Sequence, residues 1–420
     1  MKIALVSQIR TGYQDWPIGL LSLVSYAQNK GRHEIEIIEA DSGDPHEQLC
    51  ARGRYDVIGI SAQTINYEAA TRLAEKLKES HPDSKIIIGG VHISTLPSSL
   101  RPCFDLAIPG EAEQKFVDYL EGNYDETKIY PRLSLEDYPA LNYDAISPRY
   151  FQRRYLSLWN EFGVGGALLT SRGCPFRCVF CSTTRFWRGT SVKMFPLKWV
   201  VNEIKEQASR GITHLGIWDD LFTINKPRLR DLTQRLKAEG LNHLKLAILA
   251  RASTIDDEMC GLLAGLNVGF VNFGFESGNE RVLRWLKCGT TTVRDNVEAI
   301  KLCRKHGLAV VGSLIFPADA SLQENMDTVR FALKAFNLGV DSLWHFPLYS
   351  FPGTPIWDKA EAEGRVSPTM NFNELGSYRN KNYRNIHWQV RASMLAIRIL
   401  LRLRRLFRQR KTFLKSLSKF

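Results

Sequence analysis

Short apolar runs alternate with helix-length segments twice along this chain, and that alternation limits the folds available to it. The first series has five runs, which begin at Lys2, Glu34, Asp56, Lys85 and Asp105. Most are nearly continuous apolar runs rich in β-branched residues, which is typical of parallel strands buried on both faces. We therefore predict a doubly wound, Rossmann-like α/β domain over residues 1–122. In such a sheet, ligands bind beyond the carboxyl ends of the strands.

A second series of six apolar runs follows, again separated by helix-length segments. These runs begin at Gly166, His214, Leu244, Gly269, Ala309 and Ser342. Six βα units are two fewer than a closed TIM barrel contains. The pattern therefore predicts a partial (β/α)6 barrel over residues 162–365, whose open side suits a large substrate or a partner domain. Residues 123–161 are rich in Tyr, Pro and Asp without periodicity, which predicts a linker over the surface.

Composition is typical of a globular protein in a reducing compartment. No apolar run approaches the ~20 residues that span a bilayer, and the N-terminus lacks the apolar core and cleavage site of a signal peptide. Only three of the eight cysteines cluster, which is not the pattern of a disulfide framework. We therefore expect a cytoplasmic protein. The net charge of +12 arises at one end, because residues 375–420 carry thirteen Lys and Arg and no Asp or Glu, and the rest sums to −1.

The three clustered cysteines are Cys174, Cys178 and Cys181, in the pattern C-x3-C-x2-C. They follow the first strand of the predicted barrel, at the carboxyl end where barrel enzymes carry their active sites. Thiolates suit both zinc and iron–sulfur clusters. A structural zinc site needs four closed ligands, and no fourth Cys or His lies at a suitable spacing. An iron–sulfur cluster with one open iron is the better interpretation.

With the aromatic residue Phe180 before the third cysteine, this segment resembles the signature of the radical S-adenosylmethionine (SAM) superfamily. The resemblance implies a [4Fe–4S] cluster on the three cysteines, with SAM bound to the fourth iron. It also implies that an electron from the cluster cleaves SAM to a 5′-deoxyadenosyl radical, and that a flavodoxin or ferredoxin supplies this electron. Phe180 would lie against the adenine of SAM.

The same resemblance assigns polar residues at later strand ends to SAM. Asp219 and Asp220 end the second strand, where the family holds the SAM amino group, although adjacent acids could equally cap the next helix. Arg251 ends the third strand and could pair with the SAM carboxylate through its planar guanidinium, with a surface salt bridge as the alternative. Glu276 and Ser277 end the fourth strand, where the family contacts the ribose and the carboxylate.

The N-terminal domain resembles the cobalamin-binding domain that is fused to one large radical SAM subclass. The matching stretches are PIGLLSLVSYAQNKG, YDVIGISAQT, IIIGGVH and DLAIPGEAE. Gly89, Gly90 and Gly110 lie at strand ends, where glycine lets the backbone approach a bulky ligand closely. His92 is either a contact to the corrin or its nucleotide tail, or a surface histidine. The segment 44–46, Asp-Pro-His, is better read as a helix start than as a source of a cobalt ligand.

The basic C-terminal region, residues 366–420, is predicted to be helical. On a helical wheel one apolar face contains Leu395, Ile399, Leu403 and Leu406, and the opposite side contains Arg391, Arg398, Arg402 and Arg405. Three interpretations remain open: packing of the apolar face on the barrel, contact with the inner membrane surface through anionic lipid, and binding of nucleic acid. The last is the weakest, because no RNA-binding motif accompanies the charge.

The combined pattern predicts a cobalamin-dependent radical SAM enzyme that acts on a small molecule or lipid in secondary metabolism. Methyl transfer to a weakly activated carbon is the preferred reaction, and a radical cyclase or rearrangement enzyme is the alternative. A methylthiotransferase would need a second cysteine set in the N-terminal domain, where only Cys50 and Cys103 occur. A non-catalytic binding protein is disfavoured by the intact cysteine motif.

Overall fold

The computed structural model describes residues 1–7, 16–31, 33–40, 43–152, 154–156, 162–376 and 386–417. Its N-terminal sheet has five parallel strands in the order β2-β1-β3-β4-β5. This is the order of a doubly wound sheet with its topological switch between β1 and β3. The strands are β1 (Lys2–Ser7), β2 (Glu34–Glu39), β3 (Val57–Ser61), β4 (Lys85–Gly89) and β5 (Leu106–Ala107).

Helices cover both faces of this sheet, as predicted. They are α1 (Ile18–Lys30), α2 (Pro45–Arg52), α3 (Tyr67–Ser80), α4 (Val91–Thr95) and α5 (Glu113–Leu120). Successive strand residues point to opposite faces. Ile3 and Leu5 accordingly join the core formed with α1 and α5. Ala4 and Val6 join the second core, formed with α2 and α3. Burial on both faces explains why the central strands β1, β3 and β4 are apolar along most of their length, whereas β2, at the edge of the sheet, carries Glu34, Glu36 and Glu39.

The second sheet has seven strands in the order β14-β13-β12-β11-β10-β7-β6. Six are parallel, and β14 and β6 form its two ends, so the described strands do not close into a ring. The partial barrel is therefore confirmed. Its strands are β6 (Arg154–Leu156), β7 (Phe162–Leu168), β10 (His214–Ile217), β11 (Lys245–Ala250), β12 (Val268–Glu276), β13 (Ala309–Phe316) and β14 (Ser342–Pro347), and β8 (Ser171–Arg172) pairs separately with β9 (Lys193–Met194).

Helices separate the barrel strands and continue beyond them. They are α6 (Thr183–Phe186), α7 (Leu197–Ser209), α8 (Lys226–Ala238), α9 (Asp257–Gly265), α10 (Glu280–Leu286), α11 (Val293–Lys305), α12 (Leu322–Asn337), α13 (Pro355–Ala362), α14 (Asn373–Gly376) and α15 (Trp388–Leu417). No helix in the described ranges is long and apolar enough to cross a membrane.

The predicted linker is more structured than its composition indicates. Residues 154–156 form β6, which pairs antiparallel with β7 at the sheet edge. Upstream, the Asn142 N–H donates to Ser25 of α1 at 2.7 Å and the Leu141 N–H donates to Glu203 of α7 at 3.1 Å. Tyr138 is buried in the same core. The segment therefore contributes buried side chains to a core that is continuous with both sheets, while other parts of it, such as residues 125–129, lie exposed on the surface.

Helix α15 packs on α12 and β14, but the face that it buries is not the apolar face predicted from the helical wheel. Val390, Met394, Ile397 and Leu401 are buried. Leu395, Ile399 and Leu403 are exposed instead, at 57%, 49% and 45%. The prediction that the latter face packs on the barrel is therefore wrong for these three residues. The side chains of Arg405 and Leu406, which complete the predicted faces, lie outside the described residues.

Candidate functional site

The cysteine loop begins at a glycine that no other residue could replace without strain. Gly173 follows β8 with φ of 107°, and a Cβ there would lie 2.5 Å from the Ser191 carbonyl oxygen. Its N–H donates to Asp220 at 3.1 Å. Left-handed backbone and a close approach both favour glycine. The turn therefore sets the direction in which the chain enters Cys174.

The three cysteines of the loop are partly buried and lie close enough to interact electrostatically. The Cys181 N–H donates to the Cys178 carbonyl at 3.1 Å, and the Val179 N–H donates to the Leu286 carbonyl at 3.1 Å. Burial raises the pKa of the Cys174 thiol to about 11, so binding of a metal must displace its proton.

No three Cys, His, Asp or Glu side chains in the described part of the chain converge on one ion. Each thiolate of a four-iron cluster binds its own iron, so convergence on a single point is not required. Three thiols on one short loop, without a fourth cysteine in the motif, fit a [4Fe–4S] cluster with one open iron.

Arg251 lies against this loop. It is 5% exposed, which excludes the surface salt bridge considered from the sequence. Its guanidinium donates to Cys178 Sγ at 3.2 Å and lies 3.9 Å from the centre of the Phe176 ring. It also donates to the hydroxyl of Thr290. A fixed positive charge beside the thiols stabilises the negative charge that thiolates bring.

Asp219 and Asp220 accept hydrogen bonds from residues that flank the cysteine loop. Asp219 is buried, and its carboxylate accepts from the N–H and hydroxyl groups of both Thr170 and Ser171 at 2.6–3.0 Å. Burial raises the pKa of Asp219. Asp220 accepts from Gly173, from Thr183 at 3.2 Å and from the Trp187 indole at 2.8 Å.

Neither acid caps the next helix, so that alternative is wrong. The N-cap of α8 is Asn225, whose side chain accepts from the Arg228 N–H at 3.0 Å. Both carboxylates instead bind groups that flank the cysteine loop: Asp219 binds residues before it, and Asp220 binds Gly173 before it and Thr183 and Trp187 after it.

Glu276 and Ser277 end β12 at the same edge of the sheet. Glu276 has φ of 62° and is buried, with its carboxylate 3.5 Å from Lys287 Nζ. Burial raises the pKa of Glu276. Ser277 is fully buried, with its hydroxyl 2.9 Å from that of Thr328.

Two residues of this site were not predicted. Lys287 and Thr290 come from the loop after α10, which folds back against Arg251 and β12. Nothing in their spacing marks them, because the contact arises from the fold. Phe180 is half-buried in the loop between Cys178 and Cys181.

The three predicted glycines lie at the carboxyl edge of the N-terminal sheet. Gly90 has φ of 95°, and a Cβ there would lie 2.6 Å from the Ala62 carbonyl oxygen. Gly110 has φ of 78° and donates its N–H to the Ser94 hydroxyl at 2.7 Å. At Gly89 a Cβ would meet nothing closer than 3.5 Å. Gly90 is therefore required by its close approach to the Ala62 backbone, whereas Gly89 and Gly110 leave room at this edge for a bulky ligand.

His92 is not a surface histidine, so that alternative is wrong. The ring is fully buried, 3.9 Å from the Tyr67 ring, and its nitrogens lie 3.2 Å from the Thr64 hydroxyl and 3.0 Å from the Ser99 hydroxyl. Burial lowers the pKa of His92 to about 3. The ring is therefore neutral, both of its nitrogens are engaged, and no part of it is exposed for the predicted contact to the corrin or its nucleotide tail.

The helix start predicted at residues 44–46 is confirmed. Helix α2 begins at Pro45, and the Asp44 side chain accepts from the His46 N–H at 2.9 Å.

Comparison with known proteins agrees with this geometry. The B12 binding domain family matches residues 9–120, and the Radical SAM superfamily matches residues 168–332. An uncharacterized methyltransferase of Pyrococcus horikoshii, PH0819, is 29% identical over 85% of this chain and 80% of its own length. The bacteriochlorophyllide d C-8(2)-methyltransferase of Chlorobaculum tepidum is 24% identical over 80% of this chain and 74% of its own length.

Several solved structures share the fold across both domains. Among them is the radical SAM methyltransferase TsrM from Kitasatospora setae with cobalamin and a [4Fe–4S] cluster bound, which matches at a TM-score of 0.68 and 21% identity. The match covers 86% of this chain and 75% of that one. The two domain matches imply a [4Fe–4S] cluster, SAM and cobalamin as cofactors. The chain is an enzyme of the radical SAM superfamily with an N-terminal B12 binding domain.

Proposed function

We propose that this protein is a cobalamin-dependent radical SAM methyltransferase. The observation that carries the proposal is the pairing of a three-cysteine loop with a glycine-lined edge of a second, doubly wound sheet in one chain. Two relatives over most of its length are methyltransferases. Another, at 24% identity over 85% of this chain, is an anaerobic magnesium-protoporphyrin IX monomethyl ester cyclase, which supports the alternative reaction. When bound, the cluster supplies the electron that cleaves SAM, and cobalamin carries the methyl group. A flavodoxin or ferredoxin is the proposed electron donor.

Cys174, Cys178 and Cys181 are the proposed cluster ligands. For SAM, the geometry favours Arg251, Phe180 and Glu276 as direct contacts, since Arg251 and Glu276 lie at strand ends beside the loop and Phe180 lies within it. The hydrogen bonds of Asp219, Asp220 and Ser277 are made within the protein, and we propose that these residues act by holding the loop and the strand end. Gly89, Gly90 and Gly110 are the proposed cobalamin contacts, and His92 supports that edge from within the core.

The proposed substrate is an apolar small molecule or lipid. Leu343 of β14 is buried against the outer helices, so Trp344 and Phe346 face the inner side of the open sheet. They remain 41% and 39% exposed. Their strand neighbours on that side are Ser313 and Ile315. Large apolar side chains left exposed beside a site are typical of surfaces that bind apolar ligands.

Methyl transfer can be separated from the cyclase or rearrangement alternative by its products. Protein made with cobalamin and reconstituted anaerobically should retain cobalamin and form S-adenosylhomocysteine and 5′-deoxyadenosine in similar amounts with substrate. A cyclase should form 5′-deoxyadenosine without coupled S-adenosylhomocysteine. Absence of bound cobalamin would refute methyl transfer and leave the radical SAM assignment intact.

We further propose that α15 contacts an anionic membrane surface at the cytoplasmic face. The exposed face of the helix contains Trp388, Leu395, Ile399 and Leu403, at 63%, 57%, 49% and 45% exposed. Arg398 lies three residues from Leu395, and Arg402 three from Ile399, so these exposed arginines border the apolar face rather than oppose it. An apolar face bordered by cations suits anionic lipid.

Vesicle sedimentation tests the contact. The protein should sediment with vesicles that contain anionic lipid, release at high salt, and lose binding in the double variant Leu395→Ser/Ile399→Ser. Leu100→Ser is a matched control, because Leu100 is 42% exposed in the N-terminal domain. Equal sedimentation of the double variant and the control would refute the proposal.

A further inference from the structure

A buried network of charges joins the last loop of the N-terminal sheet to the strand that enters the cysteine loop. Arg172 is 4% exposed and lies two residues before Cys174. Its guanidinium donates to Glu111 at 3.1 Å and to Glu113 at 2.6 Å. Glu111 directly follows Gly110, at the edge where cobalamin is proposed to bind. Through a few residues, the network therefore connects the edge where cobalamin is proposed to bind with the turn that leads into the cluster cysteines.

Arg132 of the segment between the domains completes this network. Its guanidinium donates to the Arg172 carbonyl at 3.1 Å and to the Ser191 carbonyl at 2.7 Å, and its Nε donates to Glu111 at 3.4 Å. The Ser191 carbonyl is the atom that lies over Gly173. Arg132 thus binds the backbone of Arg172, which comes directly before the Gly173 turn, and the backbone of Ser191, which packs against that turn.

The charges balance within the network. Burial tends to raise the pKa of Glu113, but the Arg172 guanidinium and hydrogen bonds, including one from the Tyr138 hydroxyl, outweigh it and hold this pKa below its usual value. The network therefore brings two carboxylate side chains and two guanidinium side chains within hydrogen-bond distance of one another. Buried ion pairs contribute little net stability compared with apolar packing, and their best-attested use is to specify one geometry.

We propose that the network of Glu111, Glu113, Arg132 and Arg172 is a positioning device that fixes the separation between cobalamin and the cluster-bound SAM. This inference rests on the proposed function. None of the four residues is placed in contact with substrate or cofactor, and they act through Gly110 and Gly173. The reacting groups of an enzyme must be held to a fraction of an ångström, and a displacement of ~1 Å can reduce a rate by about 10²-fold.

The test uses the reconstituted holoenzyme with two conservative variants and a control. Glu113→Gln keeps the shape and the Tyr138 contact but removes a charge. Arg172→Lys keeps the charge but replaces the planar fork, which reaches Glu111 through one nitrogen and Glu113 through the other, by a single ammonium nitrogen. The control, Arg149→Lys, alters another ion pair, that of Arg149 with Glu39 at 2.8 Å. Glu39 ends β2, at the opposite side of the sheet from β4 and β5, at whose ends the three glycines lie, and the pair shares no residue with the network. Pulsed EPR between cob(II)alamin and the reduced cluster measures their separation directly.

We expect both variants to keep wild-type iron and cobalamin contents and to give a broader distribution of distances. Methylated product should fall about tenfold or more while 5′-deoxyadenosine changes by less than about threefold. Arg149→Lys should match the wild type. Unchanged distances and product ratios in both variants would overturn the proposal, as would loss of cofactors from both, since the network would then serve folding alone.

Hydrogen exchange separates this inference from the proposed function, because it does not require cobalamin. Residues 109–113 and 171–174 should exchange faster in Arg172→Lys than in Arg149→Lys. If the wild type binds no cobalamin, the methyl-transfer proposal fails while this readout still reports whether the network holds the two segments together. Equal exchange in the two variants would refute the coupling itself.

Discussion

Replacing Glu203 by Gln should stabilise the protein at high pH. Glu203 of α7 is 3% exposed and accepts the Leu141 N–H where the segment between the domains meets the barrel. Burial raises the pKa of its carboxyl from 4.5 to about 7. Glutamine has nearly the same shape, stays neutral and keeps an oxygen for Leu141. The substitution therefore removes a titration with little change in packing.

The sign and size of this effect on stability follow from the linkage between protonation of Glu203 and folding. An acid with a raised pKa in the folded state favours folding fully below its unfolded pKa, and this advantage is lost as pH rises through the folded pKa. Each pKa unit corresponds to about 1.36 kcal/mol, so the carboxylate destabilises the folded state by roughly 3 kcal/mol above pH 8. Glu203→Gln should match the wild type near pH 4.5 and exceed its stability by about that amount at pH 9.

Thermal unfolding of both proteins between pH 4.5 and 9 measures this difference. Glu206→Gln is a control on the same helix, because Glu206 is exposed and pairs with Arg210 at the surface. We expect the gain of Glu203→Gln over the wild type to grow with pH, and that of Glu206→Gln to stay small throughout. A constant difference, or one that falls as pH rises, would refute the reasoning.

Two further predictions concern the cluster. Iron analysis should find about four iron atoms per chain in the wild type and in the control Cys50→Ala, and none in the triple variant Cys174→Ala/Cys178→Ala/Cys181→Ala. Iron retained by the triple variant would contradict the assignment. Arg251→Met should keep the iron but shift the cluster potential to more negative values, because a positive charge and a hydrogen bond to Cys178 are removed. An unchanged potential in an EPR redox titration would show that Arg251 does not tune the cluster.

The parts of the fold that depend on local sequence were predictable. Parallel strands are buried on both faces, so their apolar runs stand out, and the cysteine spacing lies within one loop. Residues that depend on distant contacts were not predictable. His92 looks like a surface residue until the Phe372 ring, 4.5 Å away, is brought to it by the fold. Likewise, α15 carries two apolar stripes, and a helical wheel alone cannot tell which one meets α12.

The carboxylates at strand ends show a second limit. Their position at the carboxyl edge was predicted correctly, but sequence gives no information on which groups they bind. Asp219 binds Thr170 and Ser171 because β7 and β10 are neighbours in the sheet. Lys287 and Thr290 reach Arg251 only because the loop after α10 folds back. Such assignments require the three-dimensional arrangement of the strands.

The packing of Phe372 has a consequence for how this protein is made and how it could be divided. Its N–H donates to Glu68, 304 residues earlier, and its ring shares a core with Tyr67 and Trp357. During synthesis, the N-terminal domain therefore leaves the ribosome with part of its core missing until the barrel has emerged. A chimera that exchanges only residues 1–122 would separate this core from the segment that contributes Trp357 and Phe372. To transfer the N-terminal domain with its core complete, the exchanged part must also include residues 357–375.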